Sequence, residues 1–193
     1  MKEQNENNIM YRYMKTAYEE YFSKLNSLYF TVFGTKPTVP YLEAYNKEML
    51  IGVPNEDGEI QWAPKEQQNE FDWNNLEKEF GFTLCRELKE YYNTFYFLFL
   101  SGMLKFYELH FYRIDGTEPL DSIAFRNYKD GQHVFPCTEC FLIGNASIND
   151  DDSFFIYYDN STGKVFCYES ETKKEFLLSY SLAEIIENME AIL

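Results

Sequence analysis

Basic residues, histidine and cysteine are all scarce in this chain, and each scarcity removes a class of function. There are 17 Lys and Arg against 32 Asp and Glu, two His and four Cys in 193 residues. Of the cysteines, Cys85, Cys137, Cys140 and Cys167, only Cys137 and Cys140 form a CxxC pair. A structural zinc site needs four ligands, and no second pair is present to supply them. A thioredoxin-type site puts its CxxC at the start of a helix, where the macrodipole lowers the thiol pKa. Here the pair runs into a predicted strand. Residues 1–8 (MKEQNENN) have no apolar core of a secretory signal. A reducing cytoplasm with free thiols is therefore expected, not a disulfide scaffold.

The two histidines, His110 and His133, have no neighbouring serine or cysteine motif of the kind that marks a nucleophile. His110 falls in a strand pattern and reads as a hydrogen-bonded structural residue. The glycines form neither a phosphate-cradling loop nor a dinucleotide fingerprint. Asp150, Asp151 and Asp152 lack the glycine and glutamate of a calcium loop, so they read as a solvated turn. No enzyme, metal or cofactor is expected. A long apolar run is also missing. The most apolar stretch, Tyr91–Tyr112 (YYNTFYFLFLSGMLKFYELHFY), has a continuous apolar segment far below the roughly 20 residues of a membrane span, and it carries Lys105, Glu108 and His110. It reads as the end of a helix followed by two core strands joined by a turn at Ser101-Gly102.

What the chain has in excess is negative charge and aromatic rings. A net charge of −15 repels nucleic acid and anionic lipid and favours a basic partner, although acidity also serves solubility alone. With 45% apolar and 19% aromatic residues, a substantial core is expected and global disorder is not.

Apolar residues at three- and four-residue steps predict an amphipathic helix over residues 9–28, from Ile9 and Met10 through Tyr18 and Tyr21 to Leu25. A helix packed on the domain accounts for that stripe better than one that binds a partner. Residues 34–41, with two prolines and a glycine, predict a loop. Residues 48–64 predict a hairpin turning at Asn55-Glu56-Asp57-Gly58, followed by a glutamine-rich loop over 65–70. Asp72 and Thr83 are candidate caps of two helices, 73–80 and 84–93, the first stopped by Gly81. A helix is predicted from Pro119 to Asp130-Gly131. Strands are expected over 140–148, 154–159, 164–169 and 174–178, with an acidic loop at 149–153 and a turn at Asn160-Ser161-Thr162-Gly163. Ser181-Leu-Ala-Glu184 is a capping box opening a C-terminal helix that buries Ile185, Ile186, Met189, Ile192 and Leu193.

Three segments together resemble the Syd family, which shares a fold group with the SUKH immunity proteins. They are the hairpin ending in Trp62-x-Pro64, the helix pair leading to Tyr91-Tyr92-Asn93-Thr94-Phe95-Tyr96, and the stretch ECFLIGNASI…FFIYYDNSTGKVFCYE closing with SLAEIIENM. The likeness covers most of residues 46–190. It departs at Asn46-Lys47-Glu48, where the better-known members carry Ser-Pro-Cys. The resemblance implies a non-enzymatic protein docking on the cytoplasmic side of the SecY translocon, peripheral on the inner face of the membrane and without lipid insertion. Cytoplasmic loops of membrane proteins are rich in Lys and Arg, so an acidic face suits them. The alternative it implies is an immunity protein neutralising a basic, nuclease-type toxin.

The resulting expectation is one α+β domain, with helix and loop over 1–45 and the core over 46–193. It has a largely antiparallel sheet, an N-terminal helix, a helix pair before the central strands and a C-terminal helix. The candidate partner-binding residues are the turn and loop acids Glu56, Asp57, Glu59, Asp150, Asp151 and Asp152. Trp62 and Pro64 are expected to be structural.

Overall fold

The computed structural model describes residues 2–149 and 151–193, with side chains from Tyr13 onward. Helix α1 spans Lys2–Phe33. At 1.5 Å per residue it is about 48 Å long. It runs past the predicted end at residue 28; Ile9 and Met10 of the predicted stripe lie outside the described side chains. Of the rest of the stripe, Met14, Ala17, Tyr18, Tyr21, Phe22 and Leu25 are buried, whereas Tyr13 is exposed. Burying two tyrosines there requires partners for their hydroxyls. Tyr18 Oη donates to Tyr91 O (3.0 Å), while Tyr21 Oη donates to Ser101 O (2.7 Å) and accepts from Ser101 N (2.9 Å).

Strand β1 (Thr38–Pro40) occupies the predicted proline loop. It is an edge strand, where a missing N–H is tolerated. A single 3-10 turn at Lys47–Met49 precedes β2 (Leu50–Ile51), and β3 (Glu59–Trp62) completes a three-stranded sheet in the order β1-β3-β2. Trp62 is buried edge-on to Phe22, with ring centroids 6.2 Å apart. The predicted glutamine-rich loop begins instead with β4 (Lys65–Glu66). Helices α2 (Asn74–Phe80) and α3 (Arg86–Asn93) follow, then β5 (Phe95–Tyr96), which pairs with β4. Gly81 ends α2 in the left-handed region, as predicted. Thr83 does not cap α3. That helix starts two residues later than predicted, at Arg86, and Asn160 does the capping from another turn. Its Oδ1 accepts from Cys85 N (2.6 Å) and its Nδ2 donates to Thr83 O (3.0 Å).

The large sheet starts at β6 (Ser101–Leu104) and β7 (Tyr107–Phe111). The predicted turn at Ser101-Gly102 is displaced to Lys105-Phe106, where Lys105 takes φ 61°. Gly102 serves a different need: a Cβ there would lie 2.5 Å from the carbonyl oxygen of Glu190. Helix α4 (Leu120–Val134) does not stop at Gly131. The glycine lets the helix lie against β8, since a Cβ would meet Leu142 N at 3.1 Å. Strands β8 (Cys140–Ile148) and β9 (Asp151–Asp159) take in residues 151–153 of the predicted acidic loop, and Asn149 takes φ 51°. β10 (Val165–Glu169), β11 (Lys174–Ser179) and α5 (Leu182–Asn188) match the expected hairpin, strand and capped helix. Ser181 Oγ accepts from Glu184 N at 3.2 Å. α5 ends before Ile192 and Leu193, which it was expected to bury. Lys24 takes the carbonyls of Glu187 (2.8 Å) and Met189 (3.1 Å), and the chain leaves as β12 (Glu190–Ala191).

The fold is thus α+β. Seven antiparallel strands run in the order β11-β10-β9-β8-β7-β6-β12. One face carries α1, α3 and α5 over a core from Met14 to Met189. The other carries a smaller aromatic cluster of Leu142, Tyr157, Phe166 and Tyr168 beneath Phe135. No helix among the described residues is long and apolar enough to cross a membrane.

The core also sets a pH limit. Burial pushes the Cys167 thiol up from its ordinary value of 9.0 to about 12. The folded chain therefore holds this proton more tightly than the unfolded one. That contribution is complete below the ordinary thiol pKa and is lost as pH rises through about 9 to 12. Burial pushes Tyr21 and Tyr92 up as well, so they act in the same direction. Urea midpoints are expected to fall over this window and to fall less steeply in Cys167→Ala.

Candidate docking surface

The hairpin between β2 and β3 is closed by its own asparagine. Asn55 Oδ1 accepts from Asp57 N (3.1 Å) and Glu59 N (2.8 Å), Asn55 N donates to Glu59 O (2.8 Å), and Gly58 takes φ 77°. This fixes the backbone so that Glu56 and Asp57 are exposed on the turn, while Glu59 is half-buried at the start of β3. Thr38 on the adjacent β1 donates to the Glu59 carboxylate at 3.1 Å.

Beside this turn lies a cavity of about 560 Å³. Tyr29 and Phe33 of α1, Val53 and Leu193 supply its apolar lining, and Asn55 and Glu59 its polar lining. Tyr29 and Phe33 are in ring contact, with centroids 5.6 Å apart. Burial, helped by the Glu59 charge, pushes the Tyr29 phenol above its ordinary pKa and keeps it a neutral hydroxyl. Val53 is 82% exposed and Phe33 58%; Phe30 (71%) extends the apolar patch along the last turns of α1. Scattered exposed hydrophobic residues need no explanation, but several around one cleft with a carboxylate rim mark an interaction surface.

Glu59 therefore lines an apolar cleft, and Glu56 and Asp57 stand exposed on the turn beside it. Asp151 and Asp152 belong to the other sheet, exposed at the start of β9, and Asp150 lies outside the described residues. Hydrogen bonds from the Ser153 side chain and backbone hold the Asp151 carboxyl below its ordinary range. The two acidic groups stand on separate sheets, each held by hydrogen bonds within its own turn or strand. The sequence alone pointed to the carboxylates and not to the apolar residues beside them. The signal was Phe30-Thr31-Val32-Phe33, apolar residues continuing beyond the predicted helix end.

His110 bridges Ser101 Oγ (Nδ1, 2.9 Å) and Glu108 Oε1 (Nε2, 3.1 Å). This joins a serine, a histidine and an acid, yet Ser101 is only 3% exposed and its backbone N and O are both held by Tyr21. A substrate has no approach to that Oγ in this conformation. The CxxC pair overturns the expectation of free thiols: Cys137 and Cys140 are joined by a disulfide, while Cys85 and Cys167 are free. Their spacing lets the chain turn back at the start of β8, so that the two sulfurs meet. Among the described residues no group of His, Cys, Asp and Glu is placed to hold a metal ion.

No protein-family profile matches this chain, and no curated protein shows significant similarity to it.

Proposed function

We propose that the chain is a non-enzymatic, acidic docking domain of Syd type, and that the cleft beside the Asn55–Gly58 turn takes a basic, partly apolar protein segment. The observation that carries this reading is the juxtaposition of exposed Phe33 and Val53 with Glu59 around one cavity, beside the turn that exposes Glu56 and Asp57. A lysine or arginine side chain has an aliphatic stem and a charged head, so it satisfies both halves of such a surface. The net charge of −15 adds long-range attraction for a cationic partner. The resemblance in sequence then points to the cytoplasmic loops of SecY as that partner, with the domain held reversibly at the inner face of the membrane.

Binding of SecY cytoplasmic-loop peptides, read by fluorescence anisotropy, is expected at low salt and is expected to weaken steeply at high salt. The combined variant Glu56→Lys, Asp57→Lys, Glu59→Lys should lower affinity about tenfold or more at low salt. Its thermal stability should stay close to that of the parent, because these side chains lie on a turn and its margin. Absence of binding at low salt, or equal binding by the variant, would discard the assignment.

A further inference from the structure

We infer that the Cys137–Cys140 disulfide is a reversible modification site, opened by dithiol reductants, and that its state decides how firmly the segment 135–139 covers the second face of the sheet. Three features carry this. The first is asymmetry of access. Cys140 is the first residue of β8 and is 1% exposed, whereas Cys137 is half-buried on the connecting segment. An incoming thiolate reaches the Cys137 sulfur and not its partner.

The second feature is what the segment covers. Phe135 packs on Tyr157, Phe166 and Tyr168 with ring centroids 5.6, 5.7 and 4.7 Å away. The third is how it is held. Glu139 is tied to Asn160 through its carbonyl (2.9 Å) and carboxylate (3.0 Å), and Tyr128 donates to Thr138 O (3.1 Å). Those bonds secure the end next to β8. At Cys137 the covalent link to the sheet is the disulfide, supplemented by the Gln132 side chain on Cys137 O.

The exchange balances with a dithiol as reductant. Its first thiolate bonds to Cys137 Sγ, and the electron pair of the broken S–S bond leaves on Cys140 Sγ, which takes up a proton. The second thiol attacks the reductant's own sulfur in the mixed disulfide and expels Cys137 as a thiolate, which is protonated in turn. The dithiol is oxidised to a disulfide and the protein gains two thiols. The pair is a substrate for such exchange rather than a catalyst of it. Cys137 follows the C-terminal end of α4, whose dipole disfavours a thiolate, and a catalytic pair needs the opposite end.

Closing so short a loop changes the local opening equilibrium on the order of tenfold. The test is a thiol count followed by hydrogen exchange on the full chain. Blocked under denaturing conditions at harvest, the protein should show two of its four thiols reactive, and all four after dithiothreitol. Oxidised glutathione should restore the first count. The amides of Phe135 and Cys137, which donate to Gly131 O (2.9 Å) and Phe135 O (2.8 Å), should exchange roughly tenfold faster after reduction, with those of buried α1 residues unchanged. Four reactive thiols that oxidised glutathione fails to close would overturn the site. Unchanged exchange at Phe135 and Cys137 on reduction would overturn the covering role.

Discussion

Gly144→Ala is expected to destabilise the fold by about 3 kcal/mol or more, as overpacking against rigid backbone does. Gly144 lies in β8 where its pairing with β9 shifts register, and on its other side it faces Phe111 of β7. A Cβ built there would run into the carbonyl group of His110 and come within 3.0 Å of Phe111 Cα. Those atoms are main chain of a strand bonded on both sides, so none can swing away as a side-chain tip would. Gly144 is not among the glycines with positive φ, so the penalty is steric and not conformational. Urea denaturation of Gly144→Ala beside Asn145→Ala checks it. Asn145 is the exposed neighbour on the same strand and should change stability by only about 0.5 kcal/mol. A loss near that value for Gly144→Ala would mean that β7 and β8 can part locally.

Glu87→Ala should be comparably damaging, about 3 kcal/mol, although Glu87 is a charged residue in the first turn of α3. Its carboxylate joins three elements. One oxygen accepts from Tyr158 Oη of β9 (3.0 Å); the other accepts from Ser181 Oγ (2.8 Å) and Ala183 N (3.1 Å) at the start of α5. Truncation strands these donors in a partly dry site, and an unsatisfied donor costs more than a made bond contributes. Tyr158 remains a donor throughout. Burial, then the nearby Cys85 and Glu87, push its phenol far above the ordinary range. Glu87→Gln keeps one acceptor oxygen and should fall between parent and alanine. If denaturation midpoints order the three proteins otherwise, the carboxylate is not what ties α5 to the sheet.

Gly144 and Glu87 were both invisible to pattern reading, and for related reasons. A glycine inside CFLIGNASI looks like a weak spot in a strand. A glutamate in a helix of so acidic a chain looks like solvated surface. What gives each its weight is an atom contributed from far along the chain. The same holds for Gly102 against Glu190, Gly131 against Leu142, and Asn160 capping α3. The candidate surface divides in the same way. Its acids were legible because Asn-Glu-Asp-Gly is a turn by its own chemistry. Its apolar side was not, because Phe33, Val53 and Leu193 come from three separated segments that share a cavity only after folding.

By itself, then, the sequence determined the helical stripe of α1, the turns at Asn55–Gly58 and Asn160–Gly163, the capped α5, the α+β class and the surplus of negative charge. These depend on residues at most a few positions apart: a side-chain period, a turn-forming glycine, a serine three residues before a glutamate. Only the tertiary structure decided where the β6–β7 chain reverses, that Cys137 and Cys140 meet, that β12 closes the sheet, and which acids sit beside exposed apolar side chains. Each of these is fixed by two stretches of chain approaching until backbone, sulfur or ring surfaces touch, and no local pattern encodes that distance.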